Sequence, residues 1–212
     1  MDERELRCPP DRPLIGWRLF RARPSSVGFM LSAPLIHDPV FESAARRERW
    51  LRIATVAGSF EGFPSRAIES ICYEREHPAP APGCRCGLYA AVEGTLDSLT
   101  GYLHDSAHDG DPPVYAEVAC SGRVFLDARG VRAQRMDVLR LATSVSVWPD
   151  PGVYGQAIAE LGERYGVEVG GLDSVPDWVL ANAMPQGAPP EESEDTVDLD
   201  ALLVKLGMRQ RH

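Results

Sequence analysis

The sequence lacks any long hydrophobic run. No stretch of its 212 residues approaches the roughly 20 consecutive apolar residues that a membrane-spanning helix needs. The first thirteen residues, MDERELRCPPDRP, are charged where a secretory signal would need an apolar core. We therefore expect a cytoplasmic protein without a membrane span, whose five cysteines are free thiols or metal ligands rather than disulfides.

Lysine is also nearly absent, with Lys205 as the single example, and the net charge of −9 makes the chain acidic. Broad binding to a phosphate backbone draws its affinity from clustered Lys and Arg, so we do not expect nucleic acid as a partner. The common nucleotide and hydrolase motifs, G-x-G-x-x-G, G-x-x-x-x-G-K-[ST] and G-x-S-x-G, are missing too. The sequence therefore favours a protein that is not an enzyme.

The strongest chemical signal is the segment 71–90, ICYEREHPAPAPGCRCGLYA. Its three cysteines and one histidine fall within fifteen residues: Cys72, His77, Cys84 and Cys86. Thiolates and imidazoles are the ligands that zinc prefers, and Gly83 and Gly87 allow the Cys-x-Cys backbone to turn both sulfurs toward one ion. Because four protein ligands close a zinc site, the pattern predicts a structural zinc ion as cofactor.

Other interpretations of the same residues stay open. Cys72 can serve as a small buried hydrophobe and His77 can hydrogen-bond its own loop, and Cys-x-Cys departs from the usual Cys-x₂₋₄-Cys spacing. A zinc deaminase is excluded, because it needs a Glu two residues after the histidine, where this chain has Ala79. A thiol-redox protein or enzyme using Cys84 and Cys86 is the alternative function.

A second pair of histidines, His104 and His108, lies four residues apart with aspartates nearby. Such a pair can form one metal face, but without a third ligand or a Glu base it indicates a solvated helix end more simply.

The chain resembles a group of uncharacterised actinobacterial and phage-associated proteins that share the segment H-x-A-P-x-P-x-C-x-C-G-[IL]-Y-A followed by a valine- and glycine-containing β region. The matching residues are His77, Ala79, Pro80, Pro82, Cys84, Cys86, Gly87, Leu88, Tyr89 and Ala90, then Val118, Gly122, Val124, Gly130, Arg132 and Ala133. The resemblance spans 14–142, with departures at Ala116 and in a longer insertion between Pro34 and Cys72. It implies a common family and no particular activity.

Alternating apolar and polar residues predict several strands. The segments 14–22 and 27–33 form a hairpin around a Pro-Ser-Ser turn, and 86–92 forms a further strand. Three alternating runs within 114–142 predict an antiparallel meander with turns at Gly122 and Gly130. Its inward residues are predicted to include Val118, Val124 and Leu139.

Helical spacing is clearest in 152–165, which ends at Gly166. Shorter helices are predicted in 38–52, in 95–105 and near 175–184, and 65–73 is predicted as a short helix or an irregular lead-in.

The predicted fold class is α+β: a small β-rich body, either a meander or a partly open barrel, with two or three short helices. We expect one domain over 1–184 with the Cys/His loop at 72–86, an acidic disordered linker at 185–197, and an amphipathic helix at 198–208. The apolar stripe of this helix follows the i, i+3, i+4, i+7 pattern: Leu199, Leu202, Leu203 and Leu206.

A helix this short needs something to pack against. It either packs back on its own domain or docks onto a protein partner or a larger assembly. The second option makes the chain a non-enzymatic binding or adaptor protein.

Overall fold

The fold of the chain is sheet-rich α+β, as predicted, in a computed structural model that describes residues 3–32, 62–72, 75–95, 111–183 and 198–207. Eight strands form one mixed, unclosed sheet in this part of the chain. They are β1 (Arg4–Cys8), β2 (Leu14–Ser25), β3 (Gly28–Ser32), β4 (Ala67–Glu69), β5 (Leu88–Ala90), β6 (Pro113–Asp127), β7 (Gly130–Ala142) and β8 (Val169–Gly170). The three described α-helices are α1 (Pro151–Tyr165), α2 (Asp177–Ala183) and α3 (Leu199–Lys205).

The long hairpin of β6 and β7 lies at the centre of the sheet. β2 and β1 pair with successive halves of β6, and β3 pairs with β2. On the other side, β5, β4 and β8 pair with successive parts of β7, and only β8 runs parallel to it. Reciprocal hydrogen bonds of 2.8 and 2.7 Å between the backbones of Trp17 and Ala91 connect β2 to the chain just after β5.

Two predicted hairpin turns are present. The β2–β3 turn follows Ser25, which pairs with Gly28, and the β6–β7 turn is closed by the pair Asp127 and Gly130. At the second turn the Asp127 carboxylate accepts a hydrogen bond of 2.7 Å from the Arg129 backbone, and Gly130 has a φ of 135°. Glycine adopts such a positive φ without the steric cost that a side chain would bring.

The predicted turn at Gly122 is wrong. β6 continues through this residue, and the pairing register shifts so that Gly122 and Arg123 lie opposite the single residue Gln134. This is a β-bulge, in which one strand carries an extra residue. The region 114–142 therefore forms two strands rather than a three-stranded meander.

A second bulge explains an error in the predicted core. Val118 and Val124 are fully buried as predicted, but Leu139 is only half-buried and Val138 takes its place inside. Glu117 pairs with Arg140 and Val118 with Val138, so Leu139 is the unpaired extra residue. A single extra residue reverses which face the following side chains point to, which simple alternation does not reveal.

Further predictions have mixed outcomes. The strand in 86–92 is present as β5, whereas 65–73 contains the strand β4 rather than a helix. Helix α1 ends as predicted at Gly166, which is left-handed with a φ of 60°. The predicted helix at 38–52, nearly all of that at 95–105, and the linker at 185–197 lie outside the described residues.

Buried apolar side chains of the hairpin form the main core together with α1. The helix contributes Ala157, Leu161 and Tyr165 to it. The Tyr165 hydroxyl donates to the Phe63 carbonyl at 2.6 Å and accepts from the Leu31 amide at 2.8 Å, which satisfies its polar end inside the core. Among the described helices, none combines the length and the apolar character that crossing a membrane requires.

Helix α3 packs on its own domain. Leu202 and Leu203 are 5% and 2% exposed within the main core, and Leu206 packs against it, while the side chain of Leu199 lies outside the described part. Asp200 pairs with Arg4 at 2.5 Å and Lys205 with Glu93 at 2.8 Å. The first of the two options for this helix is thus the one observed here, and docking onto a partner stays a prediction.

We predict that Leu203→Ala lowers the free energy of unfolding by about 2–5 kcal/mol, the usual cost of truncating a buried leucine. The matched control is Val204→Ala on the same helix, where the side chain is 77% exposed and the change should stay within about 0.5 kcal/mol. Urea unfolding followed by circular dichroism measures both. Equal, small effects of the two substitutions would show that the helix is not packed on the domain in solution.

Candidate metal centre

Two short turns carry the four sequence-predicted ligands. An isolated antiparallel bridge between Ile71 and Pro78 closes the first turn, so Cys72 and His77 stand at its two ends. In the second turn the Cys84 amide donates to the Ala81 carbonyl at 3.2 Å. The first turn follows β4 and the second precedes β5, so β7, which pairs with both strands, brings the two turns together.

The glycines beside the Cys-x-Cys pair have the conformations that the turn needs. Gly83 has a φ of 66° and Gly87 a φ of 131°, both in the region that side chains rarely adopt. A Cβ at Gly87 would also lie 3.1 Å from the Cβ atoms of both Arg132 and Pro80. Gly87 therefore allows the second turn to pack closely against β7.

The structure brings all four predicted ligands together. One donor atom from each of Cys72, His77, Cys84 and Cys86 lies within 4.8 Å of every other, and the three cysteines are buried. The sulfurs of Cys72 and Cys84 are 3.8 Å apart. A tetrahedron with metal–sulfur bonds of about 2.3 Å has an edge of about 3.8 Å, so this separation suits a shared ion. The cluster can therefore hold a metal ion.

His77 offers its second ring nitrogen to the cluster. Its Nδ1 lies 3.0 Å from the Pro78 carbonyl, and since a carbonyl only accepts, Nδ1 carries the proton. The lone pair then resides on the buried Nε2. Metal-binding histidines are commonly oriented by such a bond from the other nitrogen.

Backbone amides surround the sulfurs. The Arg75 amide donates to the Cys72 sulfur at 3.4 Å, the Cys86 amide hydrogen-bonds the Cys84 sulfur, and the Ala81 amide hydrogen-bonds the Cys86 sulfur. Such bonds stabilise the thiolate, which is the form of cysteine that binds metal.

The two thiols of the Cys-x-Cys pair have different acidities. Burial raises the pKa of Cys84, but the Cys86 amide and the neighbouring Cys86, His77 and Cys72 side chains outweigh it and bring this pKa down to about 7. Burial and the Cys84 side chain raise the pKa of Cys86 to about 12. The hydrogen bond to the Pro78 carbonyl, followed by the Cys84 side chain, raises the pKa of His77. Within this pair, the thiolate therefore forms at Cys84 more readily than at Cys86.

Arg132 on β7 stabilises the second turn through hydrogen bonds to its backbone. Its guanidinium donates to the carbonyls of both Cys84 and Cys86, the latter at 2.9 Å, and forms an ion pair with Glu3 just before β1. The residue is only 7% exposed, and its guanidinium lies over the Phe125 ring, 5.1 Å from the ring centroid. In the sequence, Arg132 stands out only as one of the residues that carry the resemblance described above. The signal in the sequence that could have revealed its role is an arginine placed two residues into a predicted strand.

The other two cysteines of the chain do not join this cluster. Cys8 and Cys120 are buried free thiols elsewhere in the core, and burial raises the pKa of Cys120 to about 12. His104 and His108 lie outside the described residues. Across the described ranges, no other group of three or more His, Cys, Asp or Glu side chains converges in this way.

Comparison of the chain with protein-family models, curated protein sequences and solved structures finds no significant match. The chemistry of the site therefore carries the functional argument.

We predict that Arg132→Met destabilises the protein by about 1–3 kcal/mol, because it leaves buried carbonyls of the second turn without their donor while keeping an apolar stem. Arg129→Met in the exposed β6–β7 turn is the matched control and should change little. Thermal unfolding of the two variants measures the difference. Identical melting temperatures would contradict a stabilising role for Arg132.

Proposed function

We propose that this chain is a non-enzymatic binding protein whose body is stabilised by one structural zinc ion. The observation that carries the zinc assignment is the convergence of four donor atoms, from Cys72, His77, Cys84 and Cys86, within 4.8 Å. Three sulfurs and one imidazole nitrogen suit zinc, whereas magnesium and calcium prefer oxygen ligands. Four protein ligands complete a tetrahedron and leave no position for a substrate or a reactive water.

A structural role follows from where the ligands sit. Cys72 lies three residues after β4, and Cys86 lies two residues before β5; each of these strands has only three residues. Such short strands make few ladder hydrogen bonds with β7, so an ion that fixes their ends would add to the support that Arg132 gives the second turn. One ion coordinated by side chains of both turns would cross-link them into a single unit. Its binding free energy would then contribute to folding.

The binding part of the proposal concerns partner proteins. The leucines Leu202 and Leu203 of α3 lie in the chain's own core, so a partner that uses them must first displace the helix. The opposite side of α3 carries the exposed Val204 and needs no displacement. An adaptor role through this helix is the function that we propose beyond metal binding.

The zinc proposal is tested by metal analysis of the full chain. We expect one zinc per chain, and a loss of thermal stability when a chelator removes it. Zinc at 100 times its dissociation constant stabilises a folded state by about 2.7 kcal/mol, which is several degrees for a domain of this size.

Matched cysteine variants sharpen the test. Cys84→Ala should lower the zinc content well below one per chain, while Cys120→Ala, a buried cysteine outside the cluster, should retain one zinc. Two results together would contradict the proposal. The protein would contain no zinc after purification, and its melting temperature would not rise when zinc is added under reducing conditions.

The 3.8 Å separation of the Cys72 and Cys84 sulfurs also favours a second candidate, a thiol-redox protein. A disulfide requires about 2.05 Å between the sulfurs, so the two turns would have to approach further. In that reaction two thiols lose two protons and two electrons to hydrogen peroxide, which gives one disulfide and two waters.

Thiol labelling separates the two candidates. For a zinc site we expect that a thiol reagent modifies the cluster slowly in the zinc-loaded chain and rapidly only after chelation, because a bound metal blocks the thiolates. Mass spectrometry of the modified peptide counts the labelled cysteines. Rapid labelling before chelation, with a disulfide formed by hydrogen peroxide, would favour the redox protein instead.

A further inference from the structure

A second feature, separate from the metal cluster, is a cleft of about 700 Å³ at the bulge in the central hairpin. Its walls come from β1 and the loop after it on one side and from β4 on the other. Gly122 and Gln134, the residues of the bulge, line the part between them. Clefts of 300–1,000 Å³ are of the size that binds small molecules, and bulges are frequent beside such sites.

The charges at the cleft oppose those of the protein as a whole. The chain has a net charge of −9, yet three arginines line this one cleft, with a single acid, Glu69: Arg7, Arg12 and Arg135. The lining therefore carries a net charge of about two positive, given that guanidinium groups stay protonated at neutral pH. Because the acidic body repels anions elsewhere on its surface, the positive lining makes this cleft the favoured place for an anion to bind.

The three arginines differ in how strongly each guanidinium is paired with a carboxylate of the protein. Arg135 is held by Asp137 through two hydrogen bonds of 2.9 and 3.0 Å. Arg7 makes a long contact of 3.5 Å with Glu5, whose carboxylate also binds Arg123 at 2.8 Å. Within the described part of the chain, Arg12 forms no ion pair and its side chain is exposed. Arg12 is thus the cation best placed to meet a ligand.

The rest of the cleft is mainly apolar. The rings of Pro9 and Pro10 contribute to its lining together with the aliphatic stems of the arginines. Gly122 has a φ of 78°, and a Cβ there would lie 2.7 Å from the Gln134 side-chain oxygen, so the surface remains recessed at this point. Gln134 itself is held by a bond of 3.1 Å from the Arg123 amide. The cleft is in this way formed by the bulge itself.

We propose that this cleft binds a small organic dianion that has an apolar body, with an aryl phosphate as the representative class. Guanidinium groups pair with phosphate oxygens through parallel hydrogen bonds, and their planes stack on aromatic rings. Arg12 and the weakly paired Arg7 supply two cations for a phosphate monoester, and the proline rings accept its apolar part. The cleft contains none of the four metal ligands, so its ligand binding is independent of the zinc proposal.

The site is tested by titrating the full chain with phenyl phosphate, with inorganic phosphate and with phenol. Calorimetry measures the affinity of each compound, and amide chemical shifts locate the residues that respond. We expect saturable binding of phenyl phosphate to one site, weaker binding of inorganic phosphate and no binding of phenol. The shifts should be concentrated at the loop after β1 and at the bulge.

Charge variants identify the cleft as the location. Arg12→Glu should weaken phenyl phosphate binding at least tenfold, whereas Arg129→Glu, the same change outside the cleft, should alter it less than twofold. Glu69→Gln removes the only acid of the lining and should tighten binding. The amide spectrum of each variant confirms that it is folded.

Three outcomes would overturn the proposal. One is that no saturable binding of phenyl phosphate occurs. Another is that Arg12→Glu and Arg129→Glu weaken binding equally, which indicates a nonspecific response to charge. The third is that phenyl phosphate binds no more tightly than inorganic phosphate, because the apolar part of the cleft would then have no role.

Discussion

The pairing register of the β6–β7 hairpin is the constraint on which the rest of the structure depends. Five of the six other strands pair directly with β6 or β7, and β3 is attached through β2. The bulge that sets Gly122 and Arg123 opposite Gln134 changes which side chains face the core beyond that point. Without this extra residue, the part of β6 beyond the bulge would turn the opposite side chains toward the core.

Both candidate sites are consequences of this register. Two residues from Gln134 along β7, Arg132 pairs with Tyr89 of β5 and reaches the carbonyls of Cys84 and Cys86. One residue in the other direction, Arg135 pairs with Glu69 of β4, which lines the cleft and precedes Cys72 by three residues. The candidate metal ligands and the cleft therefore lie on segments that pair with the same short part of β7.

Buried arginines perform a common task in this chain. Arg18 donates to the Tyr89 carbonyl at 3.0 Å, Arg21 to the Asp111 carbonyl at 2.5 Å, and Arg132 to the two cysteine carbonyls. In each case a strand residue satisfies the backbone of a loop or a strand end that would otherwise be buried without a donor. The guanidinium group has five N–H donors in a rigid plane, so it can serve several carbonyls at once where lysine cannot. The near absence of lysine from the sequence is consistent with this use.

Local sequence patterns were enough to predict the strand-rich class, the hairpin turn at Gly130, the end of α1 at Gly166 and the four residues of the candidate metal cluster, because each follows from local chemistry. Turns, caps and metal-ligand types are set by residues near one another in the chain. The tertiary structure alone decided the bulges at Gly122 and Leu139, the role of Arg132, the packing of Leu202 and Leu203, and the arginines of the cleft. Those features depend on contacts between residues far apart in sequence, and alternation within one segment contains no information about the register of its partner.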